Sequence, residues 1–413
     1  MEVLKIATAG SVDDGKSTLI GRLLYETKSL PVDRLAEIEE RSKAKGYDYL
    51  DFSLATDGLL AEREQGITID VAHIYFSTAK RNYILADTPG HEEYTRNMLT
   101  GASTAQMAVI LVDARKGIVS QTRRHFAINQ LLRIPKVIVA VNKMDLVNYN
   151  QEAYEQIKAD FNQLLTSSDY PLQELEIIPV SALQGDNVTT NSAKMPWYPG
   201  RSVLQTLEDF EDSTSRERPL RFPVQLVLRP KKEGYHDYRS YAGRLTGGQL
   251  TEGQGVQLLP AGHRTQVKAI YQGGDRVHKV VSGDSISLEL EGDYQLSRGD
   301  WLVPEEEEKQ GTRQLELLCC WMDHSPLQPG AKLWMQHGTQ LVQVKIKSLT
   351  AKWDLDEGWT EDSSPLGLNE IGRLELMTSK EVFVDAFSDY PENGSVILIS
   401  PSTNQTVAAG IVQ

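Results

Sequence analysis

The sequence predicts an α/β domain with a mainly parallel sheet, followed by two small all-β barrel domains. As far as about Phe210, apolar strands alternate with helical stretches, a pattern typical of a parallel sheet covered on both faces. From Pro219 onward, turn residues recur about every ten residues between β-branched or aromatic runs, which indicates small barrels. Because 413 residues are too many for one ordinary core, we place the domains at residues 1–214, 215–309 and 310–413.

Short apolar runs mark the strands of the α/β domain. They are Val3–Ala9, Ala72–Ser77, Tyr83–Asp87, Met107–Val112, Val137–Val141 and Glu176–Val180. A short polar turn separates the second run from the third, so we expect an antiparallel hairpin at one edge of the sheet. Helices are predicted at Thr18–Leu24, Glu93–Gly101, Val119–Leu132 and Gln151–Leu165. The long, charged stretch Tyr25–Asp70 is only weakly periodic, which favours a functional loop.

The barrel domains are predicted from shorter runs. Those of the first barrel are Phe222–Leu228, Ser240–Leu245, Val256–Leu259, Thr265–Tyr271 and Ser285–Leu290. Those of the second are Leu315–Met322, Lys332–Met335, Leu341–Leu349, Gly372–Leu376, Val396–Ser400 and Thr406–Val412. The acidic run Glu305–Glu308 is expected to be a solvated loop between domains. Cys319 and Cys320 are adjacent in a strand and point to opposite faces, so we expect buried thiols rather than a disulfide or metal site.

The composition restricts the classes of partner. A net charge of −14 weighs against a broad nucleic-acid surface, which needs clustered Lys and Arg. The sequence has no basic start followed by an apolar segment and no run of about eighteen apolar residues, so we expect neither a signal peptide nor membrane association. A cytoplasmic location is the expectation that follows.

The segment Gly10–Ser17 fills the pattern G-x-x-x-x-G-K-[ST] between a predicted strand and a predicted helix. Gly10 and Gly15 let the backbone amides turn towards phosphate oxygens. Lys16 is predicted to reach the β- and γ-phosphates, and the Ser17 hydroxyl to bind Mg²⁺. A chance glycine-rich turn is the alternative, and the strand, loop and helix order argues against it.

The segment Asp87–His91 follows a strand end, where a loop can reach a nucleotide. Asp87 is predicted to hold Mg²⁺, usually through water, and the Gly90 amide to approach the γ-phosphate. A Pro-Gly turn is the alternative, and it leaves the aspartate unexplained. Upstream, Thr68 is predicted to complete the Mg²⁺ shell, although it also suits a strand-entry turn. His91 is predicted to orient the attacking water, although a lone histidine is more often structural.

The segment Asn142–Asp145 is the predicted base-reading element. The Asp145 carboxylate accepts hydrogen bonds from groups that guanine presents and adenine lacks, which selects GTP. Asn142 is expected to tie this loop to the phosphate-binding segment, and the Lys143 stem to cover the base. Ser181-Ala182 is expected to offer a backbone amide to the guanine oxygen. Alone, N-K-x-D suits any helix cap; behind the two earlier motifs, it predicts guanine binding.

These motifs together resemble the translation-factor class of GTPases: Gly10–Ser17, Gly66–Ile69, Asp87–His91, Asn142–Asp145 and Ser181-Ala182. Within that class the chain is most similar to the GTPase subunit of bacterial sulfate adenylyltransferase, or ATP sulfurylase, over essentially its whole length. That likeness is carried by Ser11 and Asp14 in the phosphate loop and by the phrases Asp57–Ala72, Tyr94–Met98, Asp113–Gly117, Gln121–His125, Arg221–Gln225, Tyr241–Gly243 and Thr403–Gly410.

The resemblance implies a full set of site residues. The catalytic residues would be Lys16, Thr68, Gly90 and His91. The residues that bind Mg²⁺ would be Ser17, Thr68 and Asp87. GTP or GDP would be bound by Gly10, Ser11, Val12, Asp13, Asp14, Gly15, Lys16, Ser17, Thr18, Asp87, Gly90, Asn142, Lys143, Asp145, Ser181 and Ala182. The resemblance also assigns to Asp13 a monovalent cation, and to Val12 with Ile67 a hydrophobic gate around His91.

The resemblance implies that a separate catalytic subunit transfers the adenylyl group of ATP to sulfate, giving adenylyl sulfate and pyrophosphate, while this chain hydrolyses GTP. Two alternatives remain: a tRNA-delivering elongation factor, and a free-standing regulatory GTPase. The acidic balance counts against the first. The sequence contains no second phosphate loop, so we do not expect the adenylyl sulfate kinase activity that some members carry.

Overall fold

The structure is a computed structural model that describes residues 3–44, 46–55, 71–90, 98, 101–102, 105–166, 174–211, 218–229, 239–354 and 358–413. It divides into two compact units, Met1–Glu211 and Asp212–Gln413. The first contains the mainly parallel sheet and the second contains two antiparallel barrels, so the predicted fold class is confirmed. The predicted limits 1–214, 215–309 and 310–413 stay predictions.

The sheet of the first unit has the strand order β2-β3-β1-β4-β5-β6. Its strands are β1 (Val3–Gly10), β2 (Ala72–Ser77), β3 (Asn82–Asp87), β4 (Met107–Asp113), β5 (Lys136–Asn142) and β6 (Glu174–Pro179). Each lies within two residues of its predicted bounds. Only the pairing of β2 with β3 is antiparallel, as the hairpin prediction requires. Every residue of β4 and β5 is buried, which suits central strands covered on both faces.

The described helices of this unit are α1 (Lys16–Glu26), α2 (Val32–Ala44), α3 (Ser120–Leu131), α4 (Gln151–Thr166) and α5 (Val203–Glu208). Helix α2 and the 3₁₀ turn Phe52–Ala55 occupy the stretch that the sequence predicts to be a loop, so that expectation was wrong there. Helix α2 buries only Ile38 and Ser42, which is too weak a pattern to identify a helix by periodicity. The predicted helix Glu93–Gly101 lies almost entirely outside the described residues.

The first barrel closes through one bent segment. The strands of this region are β7 (Phe222–Pro223), β8 (Leu226–Leu228), β9 (Ser240–Arg244), β10 (Gln249–Thr251), β11 (Gly255–Leu259), β12 (His263–Gln272), β13 (Asp275–Val277), β14 (Lys279–Val281), β15 (Ser285–Leu290) and β16 (Trp301–Pro304). Strands β10 and β14 pair with each other in a separate two-stranded sheet. Strand β7 pairs with β16, whereas β8, directly after it, pairs with β9. Strands β10, β13, β14 and β16 were not predicted because three or four residues carry too little alternation.

The second barrel is closed by the pairing of β18 with β19. Its strands are β17 (Thr312–Trp321), β18 (Lys332–His337), β19 (Gln340–Asp354), β20 (Gly358–Thr360), β21 (Ile371–Val382), β22 (Ser395–Ile399) and β23 (Thr406–Val412), and the short helix α6 (Pro391–Gly394) precedes β22. Cys319 and Cys320 are buried thiols, as predicted. Burial raises the pKa of the Cys319 thiol.

A buried arginine joins the two barrels within the second unit. The Arg221 guanidinium donates to Asp385 at 2.8 Å and 3.0 Å and to Glu307 at 2.8 Å and 2.7 Å. Its Cζ also lies 4.8 Å from the centroid of the Tyr390 ring. Although burial acts to lower the pKa of Arg221, the bonds to both carboxylates raise it. The acidic run Glu305–Glu308 is therefore more than the expected solvated loop, because Glu307 neutralises a buried charge.

Removing Arg221 is expected to destabilise the second unit strongly. Arg221→Met leaves the buried Asp385 carboxylate with only the more exposed Lys309 ammonium, 3.6 Å from its Oδ1, and breaking a buried pair costs about 3–5 kcal/mol. The matched control is Arg218→Met, which removes the more exposed pair with Glu392 and should cost less than about 1 kcal/mol. Urea unfolding of the full chain measures both. Equal losses of unfolding free energy in the two variants would show that the buried ion pairs of Arg221 stabilise the protein no more than the exposed pair of Arg218.

Candidate functional site

The predicted site segments meet at one edge of the parallel sheet. Strand β1 runs into Gly10, and β3, β4 and β5 end at Asp87, Asp113 and Asn142. Parallel strands end on the same side, and ligands of such sheets bind beyond those carboxyl ends. The loop after β6 contains Ser181. We call Gly10–Ser17 the phosphate loop and Ser181–Leu183 the base loop.

The phosphate loop has the backbone of an anion cradle. Asp13 and Gly15 have φ angles of 69° and 93°, and the Ser11 amide donates to the Asp14 carboxylate at 2.9 Å. Helix α1 begins at Lys16, and within the described residues no side chain caps it and no acidic residue lies in its first turn. Its first amides are thus left for an anion. Burial raises the pKa of the Asp14 carboxyl to about 6.

Two glycines permit close backbone approaches around this cradle. A Cβ on Gly15 would lie 2.4 Å from Nδ2 of Asn142, and a Cβ on Gly90 would lie 2.3 Å from the Gly10 carbonyl oxygen. Heavy atoms do not approach so closely, so a larger residue at either position would push the loops apart. The cradle is therefore lined closely by backbone at Gly10, Gly15 and Gly90, which fits the binding of a phosphate chain by backbone amides.

Lys16 and Asp87 form a buried ion pair at the base of the cradle. Their side chains are 7% and 3% exposed. Thr8 Oγ1 also donates to Asp87 Oδ1 at 3.3 Å, and Thr88 Oγ1 donates to the Thr8 carbonyl at 2.5 Å. The two residues predicted for the phosphates and for Mg²⁺ are thus brought together, and Ser17 directly follows Lys16 in the chain. A buried ammonium and a carboxylate beside a hydroxyl fit a phosphate and a hard cation.

Asn142 bonds to both loops with one buried amide. Its Nδ2 donates to the Asp14 carbonyl at 2.8 Å, and its Oδ1 accepts from the Ala182 amide at 2.9 Å. The predicted tie to the phosphate loop is present. Ser181-Ala182 was predicted to offer a backbone amide to the guanine oxygen, but both amides already have acceptors within the protein: the Ser181 amide donates to the Asp186 carbonyl at 3.1 Å and the Ala182 amide to Asn142 Oδ1. Ser181 Oγ donates to Asp145 Oδ1 at 2.6 Å, which orients the carboxylate predicted to read the base.

Lys143 is held by groups that the sequence analysis did not assign. Its Nζ donates to the Asp13 carbonyl and lies 2.9 Å from Oδ2 of Asp113. Burial acts to raise the pKa of Asp113, but hydrogen bonds from Arg115 and Lys143 lower it below its ordinary range. Asp113 could have been found from its place at the end of the wholly buried strand β4, next to the ends that carry the motifs. Thr68, Ile67 and His91 lie outside the described residues.

His125 is a buried neutral group in α3. It is 1% exposed, and its Nδ1 has no hydrogen-bond partner among the described residues. Its Nε2 lies 3.0 Å from Gln121 Nε2. Burial, with smaller effects from the charges of Lys16 and Arg124, lowers its pKa to about 3. Sequence analysis noted this residue only within a family phrase.

Comparison with known proteins agrees with this geometry. The family described as "Elongation factor Tu GTP binding domain" matches residues 1–226, and "GTP-eEF1A C-terminal domain-like" matches residues 314–413. The chain is thus a GTPase of the translation-factor class.

Curated relatives identify the family within that class. "Sulfate adenylyltransferase subunit 1" of Bacteroides thetaiotaomicron is 43% identical over 100% of this chain and 86% of its own length, and that of Colwellia psychrerythraea is 41% identical over 100% and 88%. "Bifunctional enzyme CysN/CysC" of Mycobacterium tuberculosis is 45% identical over 99% of this chain and 67% of its own length. The chain belongs to the sulfate adenylyltransferase subunit 1 family. None of the described helices is long and apolar enough to cross a membrane.

His125 makes stability depend on pH. An unfolded histidine takes up a proton near pH 6.5, whereas the folded side chain does so near pH 3, so stability falls as the pH drops through this window. By pH 5 the loss is about 2 kcal/mol. His125→Gln removes that part of the pH dependence, and urea unfolding of both proteins at pH 7 and pH 5 measures the difference. An identical fall in both proteins would refute the assignment.

Asp145→Asn tests the base-reading carboxylate. The amide cannot accept both hydrogen bonds from guanine, so GTP affinity should fall about a hundredfold. Xanthosine triphosphate should gain, because its 2-oxo group accepts from the new amide. Titration with the two nucleotides measures both effects. Asp33→Asn, at an exposed position of α2, is the matched control and should leave both affinities unchanged; GTP affinity of Asp145→Asn equal to wild type would remove Asp145 from the base pocket.

Proposed function

We propose that this chain binds GTP at the phosphate and base loops and hydrolyses it as the GTPase subunit of sulfate adenylyltransferase. A separate catalytic subunit then transfers the adenylyl group of ATP to sulfate, which gives adenylyl sulfate and pyrophosphate. The observation that carries the proposal is the pair of hydrogen bonds made by the Asn142 amide, which donates to the Asp14 carbonyl and accepts from the Ala182 amide. It supports one nucleotide site built from segments that are 128 and 40 residues apart.

The residues have distinct proposed roles in hydrolysis. Lys16 binds the β- and γ-phosphate oxygens, and Gly90 offers its amide to the γ-phosphate. Ser17, Thr68 and Asp87 would hold Mg²⁺, which neutralises charge on the phosphates when bound. His91 orients the water molecule that attacks the γ-phosphate. Asp13 would contact a monovalent cation, as the resemblance to the family implies.

The Lys16–Asp87 pair supports this division of roles. In the structure, the ammonium lies on the carboxylate because both are buried and each needs an opposite charge. A phosphate chain in the cradle offers Lys16 other anionic oxygens. The Asp87 carboxylate is then free to accept hydrogen bonds from metal-bound water. When the nucleotide binds, Lys16 therefore exchanges Asp87 for phosphate oxygens and Asp87 exchanges Lys16 for metal-bound water, so that neither charge is left buried and unpaired.

Coupling to the catalytic subunit requires a difference in affinity between nucleotide states. Forming a phosphate–sulfate anhydride at the expense of the bond between the α- and β-phosphates is unfavourable. A GTPase can favour this reaction only if the partner binds its GTP and GDP forms unequally, and that preference must be reciprocal. The names of the relatives support a subunit that acts with a partner. Nucleic acid and membrane are not proposed as partners.

The decisive experiment measures GTP hydrolysis by this chain alone and with the catalytic subunit, ATP and sulfate. Hydrolysis should be slow alone and should rise at least about tenfold in the full mixture, because the transition-state contacts are completed only in the coupled complex. Omitting sulfate is the control and should remove most of the rise. Partner affinity measured with a non-hydrolysable GTP analogue and with GDP should differ, and equal affinities would refute the coupling.

A tRNA-delivering elongation factor is the second candidate. It shares the family match over residues 1–226. Ribosomes or aminoacyl-tRNA would then stimulate GTP hydrolysis, and sulfate with ATP would not. The full-length identity to sulfate adenylyltransferase subunit 1 favours the first candidate.

A further inference from the structure

Arg22 lies in α1, and its guanidinium reaches the base loop. Its Nε donates to the Ala182 carbonyl at 3.2 Å, and its Nη2 donates to the Leu183 carbonyl. The side chain is only 15% exposed. Two successive carbonyls of the base loop are therefore bound by one planar, charged donor, which fixes the direction of that backbone.

The same guanidinium also packs on the Phe52 ring. The Arg22 Cζ lies 4.5 Å from the centroid of the Phe52 ring, and Phe52 is 2% exposed. The Tyr25 ring packs against Phe52 at 5.1 Å between centroids. A Cβ on Gly21 would lie 2.2 Å from the Phe52 carbonyl oxygen, so glycine is needed there for the turn Phe52–Ala55 to lie against α1.

Glu26 completes the surroundings of Arg22. Its Oε1 lies 3.4 Å from Arg22 Nη1, and its Oε2 accepts from Thr189 Oγ1. Burial lowers the pKa of Arg22, and the Glu26 carboxylate acts in the opposite direction. The guanidinium thus contacts the base loop, Phe52 and Glu26 at once. Such a rigid fork cannot follow one neighbour without disturbing the others.

We propose that Arg22 is a positioning residue of the nucleotide site that links the base loop to the turn Phe52–Ala55. The inference rests on the proposed GTP-binding function. A bound guanine orders the base loop, Arg22 carries that order to Phe52, and an ordered turn strengthens base binding by the same factor. The turn leads directly, along the chain, into the segment that contains Thr68.

The first test measures the affinity of the full chain for GDP and for inosine diphosphate. Arg22→Met should weaken both by the same factor of about ten, because it loosens the part of the loop near the 6-oxygen that both bases share. Arg22→Lys should weaken them less, because its ammonium keeps the charge but not the fork. Ser181→Ala, which frees Asp145, should weaken GDP more than inosine diphosphate, because only guanine has the 2-amino group.

The second test follows hydrogen exchange in the turn Phe52–Ala55. GDP should slow the exchange of its amides in the wild-type chain but not in Arg22→Met. Arg34→Met is the matched control: it breaks the bond from Arg34 Nη2 to the Leu54 carbonyl at 2.7 Å but not the contacts of Arg22. GDP should still slow exchange in this variant, because Arg22 still joins the base loop to the turn.

The outcomes separate the inference from the proposed function. A wild-type chain that binds no GDP overturns both. A wild-type chain that binds GDP, with Arg22→Met within about twofold of its affinity, overturns the inference alone. The same holds if GDP slows exchange of the turn equally in both proteins. Thermal unfolding without nucleotide checks that the variants fold, and if Arg22→Met does not, Arg22→Lys must show both effects or the inference fails.

Discussion

One amide side chain holds the nucleotide site together. Asn142 is 2% exposed and uses Nδ2 on the phosphate loop and Oδ1 on the base loop. A buried amide must satisfy both its donor and its acceptor, so the two loops have to approach it together. The same approach explains Gly15, because any Cβ there would collide with Nδ2. The glycine that shapes the phosphate loop is therefore also required by the base loop.

The charges of the site depend on the parallel sheet in a similar way. Lys16 pairs with Asp87 and Lys143 with Asp113, and both carboxylates are buried residues at the ends of strands. A chain with a net charge of −14 thus concentrates two ammonium groups at one edge, each neutralised by a carboxylate behind it. Buried ammonium groups without such partners would be costly. The strand order therefore positions the cations and also makes their burial possible.

Sequence patterns predicted the strands of this architecture better than the side-chain contacts that join distant parts of the chain. The strands of the sheet were found within two residues because continuous apolar runs such as β4 have no other stable location. Helix α2 was missed because its few buried residues leave no stripe. Glu307 was assigned to solvent because nothing local reveals its pairing with Arg221, 86 residues away. Arg22 and Phe52 were missed for the same reason, since contacts across the fold leave no local pattern.

The structural difference between the GTP form and the GDP form has to arise outside the residues that recognise the base. Guanine contacts are the same for GTP and GDP, so a partner that distinguishes the two must respond to the γ-phosphate. Gly90 lies where a Cβ would meet the Gly10 carbonyl, so the loop after β3 has almost no free space against the phosphate loop. Packed contacts of this kind shift between discrete arrangements rather than deform gradually. A small displacement at Gly90 is therefore the step from which a switch can begin. In our proposal, Arg22 has a different role, because it links the occupied base loop to the turn Phe52–Ala55.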